Sequence, residues 1–455
     1  MASQHSFQPP TGTRDLYPLD AAKRRFITES WRQTSLRHGF EEVDGPTFEH
    51  LELYTVKSGE GIISELFSFQ RAGGEKTYAL RPEFTPTLAR LFASKAGSLP
   101  KPSRWFTAGP FFRAERPQRG RLREFLQWNA DIIGDPSPTA DAEVIGCCVG
   151  LLESLGLSPE HCRVRISHRG LMKDLALHCG LPEDKLDAWF AYLDGEAKRS
   201  GPENDAFLVH RGVPLYVREK FDAIIEKAKN VTDPDNFTPE SIGLKSETLE
   251  QHRSVLLELR AMGLLAWCQP PLDLRVVRGL AYYTGMVFEV HEISGGERAL
   301  AGGGRYDNLI ELFGGPSTPA VGFGMGDVVL SLVLQDNKLL PGDEEMLERA
   351  GLRPDVFVIS NGTPQADAAL QPLLAFLRRH QLHARRSGKT TKNIGKLLQD
   401  ASNQKARAAI ILESDQVGQL KDMTSGTQIT INLREVLGHL ATLGIRGIAK
   451  IEKQN

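Results

Sequence analysis

The chain lacks the marks of a membrane-bound, disulfide-stabilised or metal-carrying protein. No stretch of about 18 apolar residues occurs, and residues 1–15 contain no apolar signal region. The 5 cysteines are odd in number and form no C-x-x-C pair, which argues against a disulfide framework and a structural zinc site. The 12 histidines are scattered without metal-ligand spacing. We therefore expect no resident metal, no membrane association and a location in the cytoplasm.

The chain also lacks an excess of positive charge. Its 55 Lys and Arg residues are balanced by 57 Asp and Glu residues, which gives a net charge of -2. Any contact with nucleic acid must therefore come from local basic patches. With 455 residues, of which 40% are hydrophobic, the chain is too long for a single core. These values predict a globular protein of two or three domains.

The most informative segment is an arginine-rich hairpin from Arg104 to Asp131, which contains 6 arginines in and beside a loop broken by Pro and Gly. In its second strand, alternation puts the polar residues Gln127, Asn129 and Asp131 on one face and apolar residues on the other. Arginines beside a polar strand face are suited to holding a polyanion next to a small polar ligand. A solvated charged hairpin is the alternative interpretation.

The remaining pattern predicts two kinds of structure. From about Gly170 to Leu265 the sequence is helical and charged, which indicates an inserted helical subdomain, and strand signals return at Leu272–Val277 and Met286–His291. After Asp355, strands and helices alternate, which is typical of a separate α/β domain.

Three glycine-containing motifs need interpretation. The segment 387–390 (SGKT) resembles the end of a P-loop, but His383 stands where that motif requires glycine. The segment 322–326 (GFGMG) is better explained by close backbone packing than by a dinucleotide turn, because no βαβ unit follows. Three glycines at 302–304, next to Arg305, suit the close approach of a ligand, although a β-bulge is the simpler alternative.

Taken together, these segments resemble the class II aminoacyl-tRNA synthetases, and specifically the histidyl-tRNA synthetase family. The similarity covers nearly the whole chain and rests on several motifs in family order. The matching segments are 12–16 (GTRDL), Gly45-Pro46, 80–85 (LRPEFT), 112–127 (FRAERPQRGRLREFLQ), 278–285 (RGLAYYTG), 302–307 and 322–330.

The resemblance implies ligation of L-histidine to tRNA(His), with ATP as substrate and Mg²⁺ on its phosphates. It implies Arg113 and Arg278 as the catalytic cations at the α-phosphate. The implied histidine-binding residues are Glu83, Thr85, Gln127, Asp131, Tyr282 and Tyr283. The implied ATP-binding residues are Arg113, Glu115, Arg121, Phe125 and Arg278. Within the histidine set, Asp131 and Tyr283 would bond the imidazole, and Phe125 would stack under adenine.

Two positions depart from the family pattern. Ala281 stands where the histidine enzymes usually have an acid, and Val329 stands where the third class II motif has an arginine on the γ-phosphate. Arg305 or Arg121 are candidates to cover that phosphate instead. The departure at Val329 also leaves open a second hypothesis, a non-catalytic paralogue such as a regulatory subunit of ATP phosphoribosyltransferase or a tRNA-sensing module.

The expected fold is an α+β catalytic domain of the class II synthetase type with a mainly antiparallel sheet, a helical insertion and a C-terminal α/β domain like an anticodon-binding domain. The expected boundaries are 1–165 and 269–345 for the catalytic domain, 166–268 for the insertion and 346–455 for the terminal domain. A basic run from Arg378 to Lys396 in the terminal domain offers a phosphate-binding face, unless it is a solvated helix edge. The resemblance also implies a homodimer through the region of Gly45-Pro46.

Overall fold

The structure is a computed structural model that describes residues 7–58, 60–196, 199–229, 231–268, 272–273, 275–276 and 282–446. The chain forms two compact units. The first comprises Met1–Asp15 with Ile27–Leu340, and the second comprises Leu16–Phe26 with Pro341–Asn455. Among the described helices, none is long and apolar enough to cross a membrane.

Two sheets form the first unit in the described part of the chain. Its strands are β1 (Glu41–Glu42), β2 (Phe48–His50), β3 (Ser68–Gln70), β4 (Thr77–Leu80), β5 (Ser103–Phe112), β6 (Glu124–Ile133), β7 (Cys162–His168), β8 (Met286–Glu292), β9 (Ala301–Arg305) and β10 (Ala320–Gly326). The larger sheet has the order β1-β5-β6-β10-β9-β8-β7, and the smaller sheet has the order β2-β4-β3. Every pairing in the larger sheet is antiparallel except that of β1 with β5. The expected mainly antiparallel sheet is therefore confirmed.

Strands β5 and β6 form the predicted hairpin, and their two faces differ as the alternation of residues requires. On the face toward the core, Trp128, Ala130 and Ile132 are fully buried. Trp128 stacks on Trp31 with ring centroids 6.3 Å apart. The register pairs Asp131 with Trp105, Asn129 with Thr107 and Gln127 with Gly109 on β5. Core packing thus fixes which side chains of β6 point toward the opposite face.

The helices Pro138–Ser154 and Asp327–Asp336 pack on strands β6 and β10 of the larger sheet, and further helices make up the middle of the first unit's sequence. The helices of this part of the chain are α1 (Pro18–Arg37, shared by both units), α2 (Glu52–Ser58), α3 (Thr85–Lys95), α4 (Pro138–Ser154), α5 (Arg169–His178), α6 (Leu186–Gly195), α7 (Gly201–His210), α8 (Leu215–Ala228), α9 (Pro239–Ile242), α10 (Glu247–Ala261), α11 (Leu309–Leu312) and α12 (Asp327–Asp336). The described residues between β7 and β8 contain helices and no strand, which agrees with the predicted helical segment.

The strand predicted at Leu272–Val277 is wrong for the residues that the structure describes there. Asp273 forms a turn, because its carbonyl accepts from the N–H of Val276 at 3.0 Å and its carboxylate accepts from the N–H of Arg275 at 3.1 Å. The apolar side chains of Leu272 and Val276 are buried without a strand. The expected boundary at residue 165 also falls inside β7, which continues to His168 as part of the large sheet.

The second unit contains the predicted alternation of strands and helices. Its elements after Leu340 are α13 (Asp343–Arg349), β11 (Val356–Ser360), α14 (Pro364–Arg379), β12 (Ala384–Arg386), α15 (Ile394–Asn403), β13 (Ala408–Leu412), β14 (Val417–Asp422), β15 (Gln428–Asn432) and α16 (Val436–Thr442). The sheet order is β12-β11-β13-β14-β15, with the first three strands parallel and the last two antiparallel to their neighbours. The C-terminal α/β sheet domain is confirmed.

Candidate active site

A small polar pocket of about 70 Å³ opens on the polar face of β6. All six residues that the sequence predicts for histidine binding line it. Its lining consists of Glu83, Thr85, Arg113, Gln127, Asn129, Asp131, Tyr282, Tyr283, Gly302, Tyr306, Gly322, Phe323 and Gly324. These residues come from six separate segments of the chain, and the fold brings them together at the large sheet.

Asp131 is the buried carboxylate of this pocket. The hydroxyl of Tyr306 donates a hydrogen bond to its Oδ1 atom at 2.6 Å. Burial raises the pKa of Asp131 to about 7, although the hydrogen bond from Tyr306 works in the opposite direction. The negative charge of Asp131 and burial in turn raise the pKa of Tyr306 well above its ordinary value, with burial the larger cause. The pair is therefore a carboxylate held in place for a ligand that donates a proton or a hydrogen bond.

Glycines of β10 make room for the polar side chains of β6. A Cβ atom on Gly322 would lie 1.7 Å from Oδ1 of Asp131, and one on Gly324 would lie 2.8 Å from Nε2 of Gln127. Real Cβ atoms do not approach other atoms so closely. The prediction of close packing for 322–326 is therefore correct, and part of that packing is against side chains of the site.

The other wall of the pocket carries hydroxyl, carboxylate and amide groups. The hydroxyl of Tyr282 lies 3.4 Å from Oε2 of Glu83, and its ring lies 4.6 Å from that of Tyr283 between centroids. Opposite them, Nε2 of Gln127 donates to Oδ1 of Asn129 at 2.8 Å. The pocket thus presents hydrogen-bonding groups on several sides, as recognition of a small polar molecule requires.

A larger cavity of about 290 Å³ shares four residues with this pocket. Arg113, Gln127, Gly302 and Gly324 line both. The other lining residues are Gly120, Arg121, Leu122, Phe125, Glu289, Arg298, Ala299, Leu300, Ala301, Gly326, Val328 and Val329. Three arginines therefore surround a cavity that adjoins the polar pocket, and such a cavity is suited to a polyanion.

Arg113 lies at the junction of the two cavities. Its Nε atom donates to the carbonyl oxygen of Pro82 at 3.1 Å, and its guanidinium carbon lies 5.2 Å from the centre of the Phe125 ring. Arg121 pairs with Glu115 at 2.5 Å between NH1 and Oε1. Of the residues predicted to bind ATP, Arg113, Arg121 and Phe125 line the larger cavity. Glu115 does not line it but accepts a hydrogen bond from Arg121.

The two candidates for the γ-phosphate are distinguished by their partners. Arg305 is buried and bonds the carboxylate of Asp141 at 2.9 Å and the carbonyl oxygen of Asp135 at 3.0 Å. It does not line the larger cavity, and its guanidinium group is already engaged by these two partners. Arg121 does line the cavity, and so does Val329.

Two predicted positions lie outside the described residues. They are Arg278, which the resemblance makes a catalytic cation, and Ala281, where the family pattern is broken.

Several residues of the site were not predicted. Tyr306 follows β9 directly and reaches Asp131 across the sheet, although the two are 175 positions apart in sequence. Arg298 lies in the loop between β8 and β9, and Glu289 lies within β8. One feature of the sequence points to Tyr306: this residue directly follows Arg305 and the glycines at 302–304, which are predicted to approach a ligand. No pattern in the sequence singles out Arg298 or Glu289.

In the part of the chain that the structure describes, no cluster of three or more His, Cys, Asp or Glu side chains could hold a metal ion. One carboxylate, Glu289, lines the larger cavity, and its Oε2 atom lies 2.8 Å from Nε2 of His291.

Comparison with known proteins identifies the family of the chain. Residues 12–327 match the model of the histidyl-tRNA synthetase family. The histidine–tRNA ligase of Opitutus terrae is 35% identical over 436 residues, which cover 95% of this chain and 97% of the relative. The corresponding ligase of Haloarcula marismortui is 36% identical over 430 residues, or 93% of this chain and 95% of the relative.

Solved structures show the same fold. The histidyl-tRNA synthetase of Nostoc sp. PCC 7120 aligns with a TM-score of 0.73 at 21% identity, over 96% of this chain and 100% of that one. The fold is that of a class II aminoacyl-tRNA synthetase. The chain belongs to the histidyl-tRNA synthetase family.

Proposed function

We propose that this protein is a histidine–tRNA ligase whose active site is the small pocket around Asp131 together with the adjoining arginine-lined cavity. The observation that carries this assignment is the position of Arg113, which lines both cavities. An amino acid in the pocket and a nucleotide in the cavity would meet at its guanidinium group. Bringing two reactants together in this way supplies a large part of the rate enhancement of such reactions.

Histidine would bind with its imidazole against Asp131. The carboxylate accepts a hydrogen bond from one ring N–H, and the hydroxyl of Tyr283 serves the other ring nitrogen. Glu83, Thr85 and Gln127 would hold the amino and carboxylate groups of the amino acid. An analogue that lacks the imidazole would leave these buried groups unpaired. The site should therefore use such an analogue roughly 10⁴-fold less efficiently than histidine.

Activation would then be a displacement at phosphorus. The histidine carboxylate attacks the α-phosphorus of ATP, the bond to the β-phosphate oxygen breaks, and histidyl-adenylate and diphosphate form. Negative charge grows on the α-phosphate oxygens in the transition state, and Arg113 and Arg278 would stabilise it. In the second step the terminal ribose hydroxyl of tRNA(His) attacks the carbonyl carbon, and AMP leaves.

Mg²⁺ would accompany ATP. Phosphate-bound Mg²⁺ takes one or two carboxylates from the protein, and Glu289 in the larger cavity fits this requirement. When bound, the ion would neutralise part of the phosphate charge.

The remaining assignments concern assembly and location. We propose a homodimer through the region of Gly45-Pro46 and a cytoplasmic location. All five cysteines are buried free thiols whose pKa is raised by burial, as suits a reducing compartment. We propose 346–455 as the tRNA-binding domain, 166–268 as the insertion, and 1–165 with 269–345 as the catalytic domain, with the first boundary moved beyond His168.

Histidine-dependent exchange of diphosphate into ATP tests the function directly. The wild type should catalyse exchange with histidine and not with other amino acids. Arg278→Ala and Arg113→Ala should each reduce the exchange rate by at least about a hundredfold, because each removes a cation from the reaction centre. A folded wild type without exchange would favour the regulatory paralogue, which the names of the relatives do not support.

A further inference from the structure

The cavity assigned to ATP has an aliphatic wall where the family pattern has an arginine. Val329 lines it and is 7% exposed. Arg298, from the loop between β8 and β9, lines the same cavity. Arg298 could therefore replace the arginine that the family has at position 329, or it could be a solvated loop residue.

The position of Gly120 shows how close Arg298 and Val329 are. A Cβ atom on Gly120 would lie 3.3 Å from Cγ2 of Val329 and 3.8 Å from Cδ of Arg298. Both side chains therefore pack beside the same glycine of the hairpin loop. Arg298 and Val329 also line the same cavity, so the guanidinium group of Arg298 and a longer side chain at position 329 would enter the same space.

Glu297, the residue before Arg298, ties the loop between β8 and β9 to the hairpin loop. Oε1 of Glu297 accepts from Nε of Arg119 at 2.5 Å, and the Glu297 side chain is only 4% exposed. This ion pair joins the β8–β9 loop to the hairpin loop. At the other end, the N–H of Leu300 donates to the carbonyl oxygen of Val290 at 2.8 Å. Arg298 is thus presented from a loop that is fastened on both sides.

Three guanidinium groups, those of Arg113, Arg121 and Arg298, line the cavity against one carboxylate, that of Glu289. Burial lowers the pKa of the Arg298 guanidinium, repulsion from Arg121 and from Arg113 lowers it further, and Glu115 partly opposes them. Glu115 is already paired with Arg121. Among the described residues, the guanidinium group of Arg298 forms no ion pair and no side-chain hydrogen bond. Three guanidinium groups that repel one another would be relieved by a polyanion.

We propose that Arg298 binds the terminal phosphates of ATP and so supplies the cation that Val329 cannot. The proposal rests on the assignment of the larger cavity to ATP. It predicts a phosphate-specific role, because Arg298 reaches the cavity beside the hairpin loop, whereas Arg113 lies at the junction with the amino-acid pocket.

The test compares four variants of the full chain with the wild type. Arg298→Ala removes the cation, Arg298→Lys keeps a charge, and Arg298→Ala combined with Val329→Arg moves the cation to the family position. Arg71→Ala is the control, because Arg71 is exposed and lines neither cavity. Two measurements are made: the KM values for ATP, diphosphate and histidine in exchange, and the equilibrium affinities for ATP and AMP by calorimetry.

Arg298→Ala should raise the KM for ATP and for diphosphate by roughly tenfold to a hundredfold, the scale of one lost bond to a charged group. It should weaken ATP binding by a similar factor and leave AMP binding and the KM for histidine within about twofold of the wild type, since those ligands lack the terminal phosphates. Arg298→Lys should be intermediate, and the double variant should recover at least about tenfold.

Affinity for ATP and AMP that changes equally, or not at all, in Arg298→Ala would overturn the proposal. This result is independent of the proposed function, because calorimetry does not require catalysis. Conversely, a wild type that binds ATP through Arg298 but shows no histidine-dependent exchange would overturn the ligase assignment and leave the role of Arg298 standing.

Discussion

The hydroxyl of Tyr306 donates a 2.6 Å hydrogen bond to Oδ1 of Asp131, and both side chains are buried in the small pocket. The bond fixes one carboxylate oxygen of Asp131, whose side chain lines the pocket. A buried carboxylate that is held in this way is already oriented before the ligand arrives.

Replacing Tyr306 with phenylalanine should weaken histidine binding by about tenfold, the scale of one hydrogen bond to a charged group. The ring packs edge-on against Tyr282, so the fold should be retained. The KM for histidine in exchange measures the effect. Tyr78→Phe, in the small sheet, is the matched control and should leave this KM unchanged. An unchanged KM in Tyr306→Phe as well would mean that Asp131 does not need this support.

The pH dependence of histidine use should follow Asp131. Its pKa is raised to about 7 by burial, so the carboxylate that accepts the imidazole N–H forms as pH rises from 6 to 8. The ratio of kcat/KM for histidine between the wild type and Asp131→Asn should rise by about tenfold over this interval. The ratio is used because free histidine titrates in the same range. A ratio independent of pH would contradict the role of Asp131.

The raised pKa of Asp131 also makes the folding stability depend on pH. Asp131 keeps its proton in the folded protein at pH values where it is ionised in the unfolded chain. The folded state therefore binds more protons between about pH 4 and 7, and the free energy of unfolding falls as pH rises through this window. Asp131→Asn should remove this part of the pH dependence, which denaturant titrations at pH 5 and 7.5 would measure.

Gly322→Ala should remove histidine binding and spare ATP binding. The added Cβ would lie 1.7 Å from Oδ1 of Asp131, so the carboxylate would have to move. Gly97→Ala is the control, since nothing lies within 4 Å of its Cβ position. Calorimetry with histidine and with ATP on both variants separates the two effects. A Gly322→Ala protein that binds histidine normally would show that Asp131 is not at the binding surface.

Lys396→Ala should weaken tRNA binding and leave adenylate formation intact. Lys389 and Lys396 line a cavity on the second unit, and Lys389 pairs with Asp400 at 3.6 Å. If Lys396 contacts a phosphate, its loss should reduce the slope of log affinity against log salt by about 1. Lys421→Ala in β14 is the control. An unchanged salt slope would make the basic run a solvated surface.

Sedimentation of the purified chain should report about twice its 50.3 kDa mass at micromolar concentration. A class II homodimer is expected to use a closed two-fold interface that includes the region of Gly45-Pro46. A monomer under these conditions would contradict the proposed assembly.

The sequence predicts the parts of the site that depend on local periodicity. The alternation along β6 placed Gln127 and Asp131 opposite the core residue Trp128, and the sheet confirms it. Tyr306 could not be found in this way, because its contact with Asp131 depends on the order of strands in the sheet. Local pattern also produced an error at Leu272–Val277, where hydrogen bonds of Asp273 form a turn in a segment with strand-like composition.

Strand β10 links the hydrophobic core to the binding site. Gly322 and Gly324 face the polar side chains of β6, whereas Val321, Phe323 and Met325 are buried. A slip of one residue in the pairing of β10 would exchange these two sets, driving bulky side chains into the pocket and leaving voids in the interior. A misaligned sheet would therefore lose stability and ligand binding together, so that occupancy by histidine reports on the correctness of folding as well as on chemical fit.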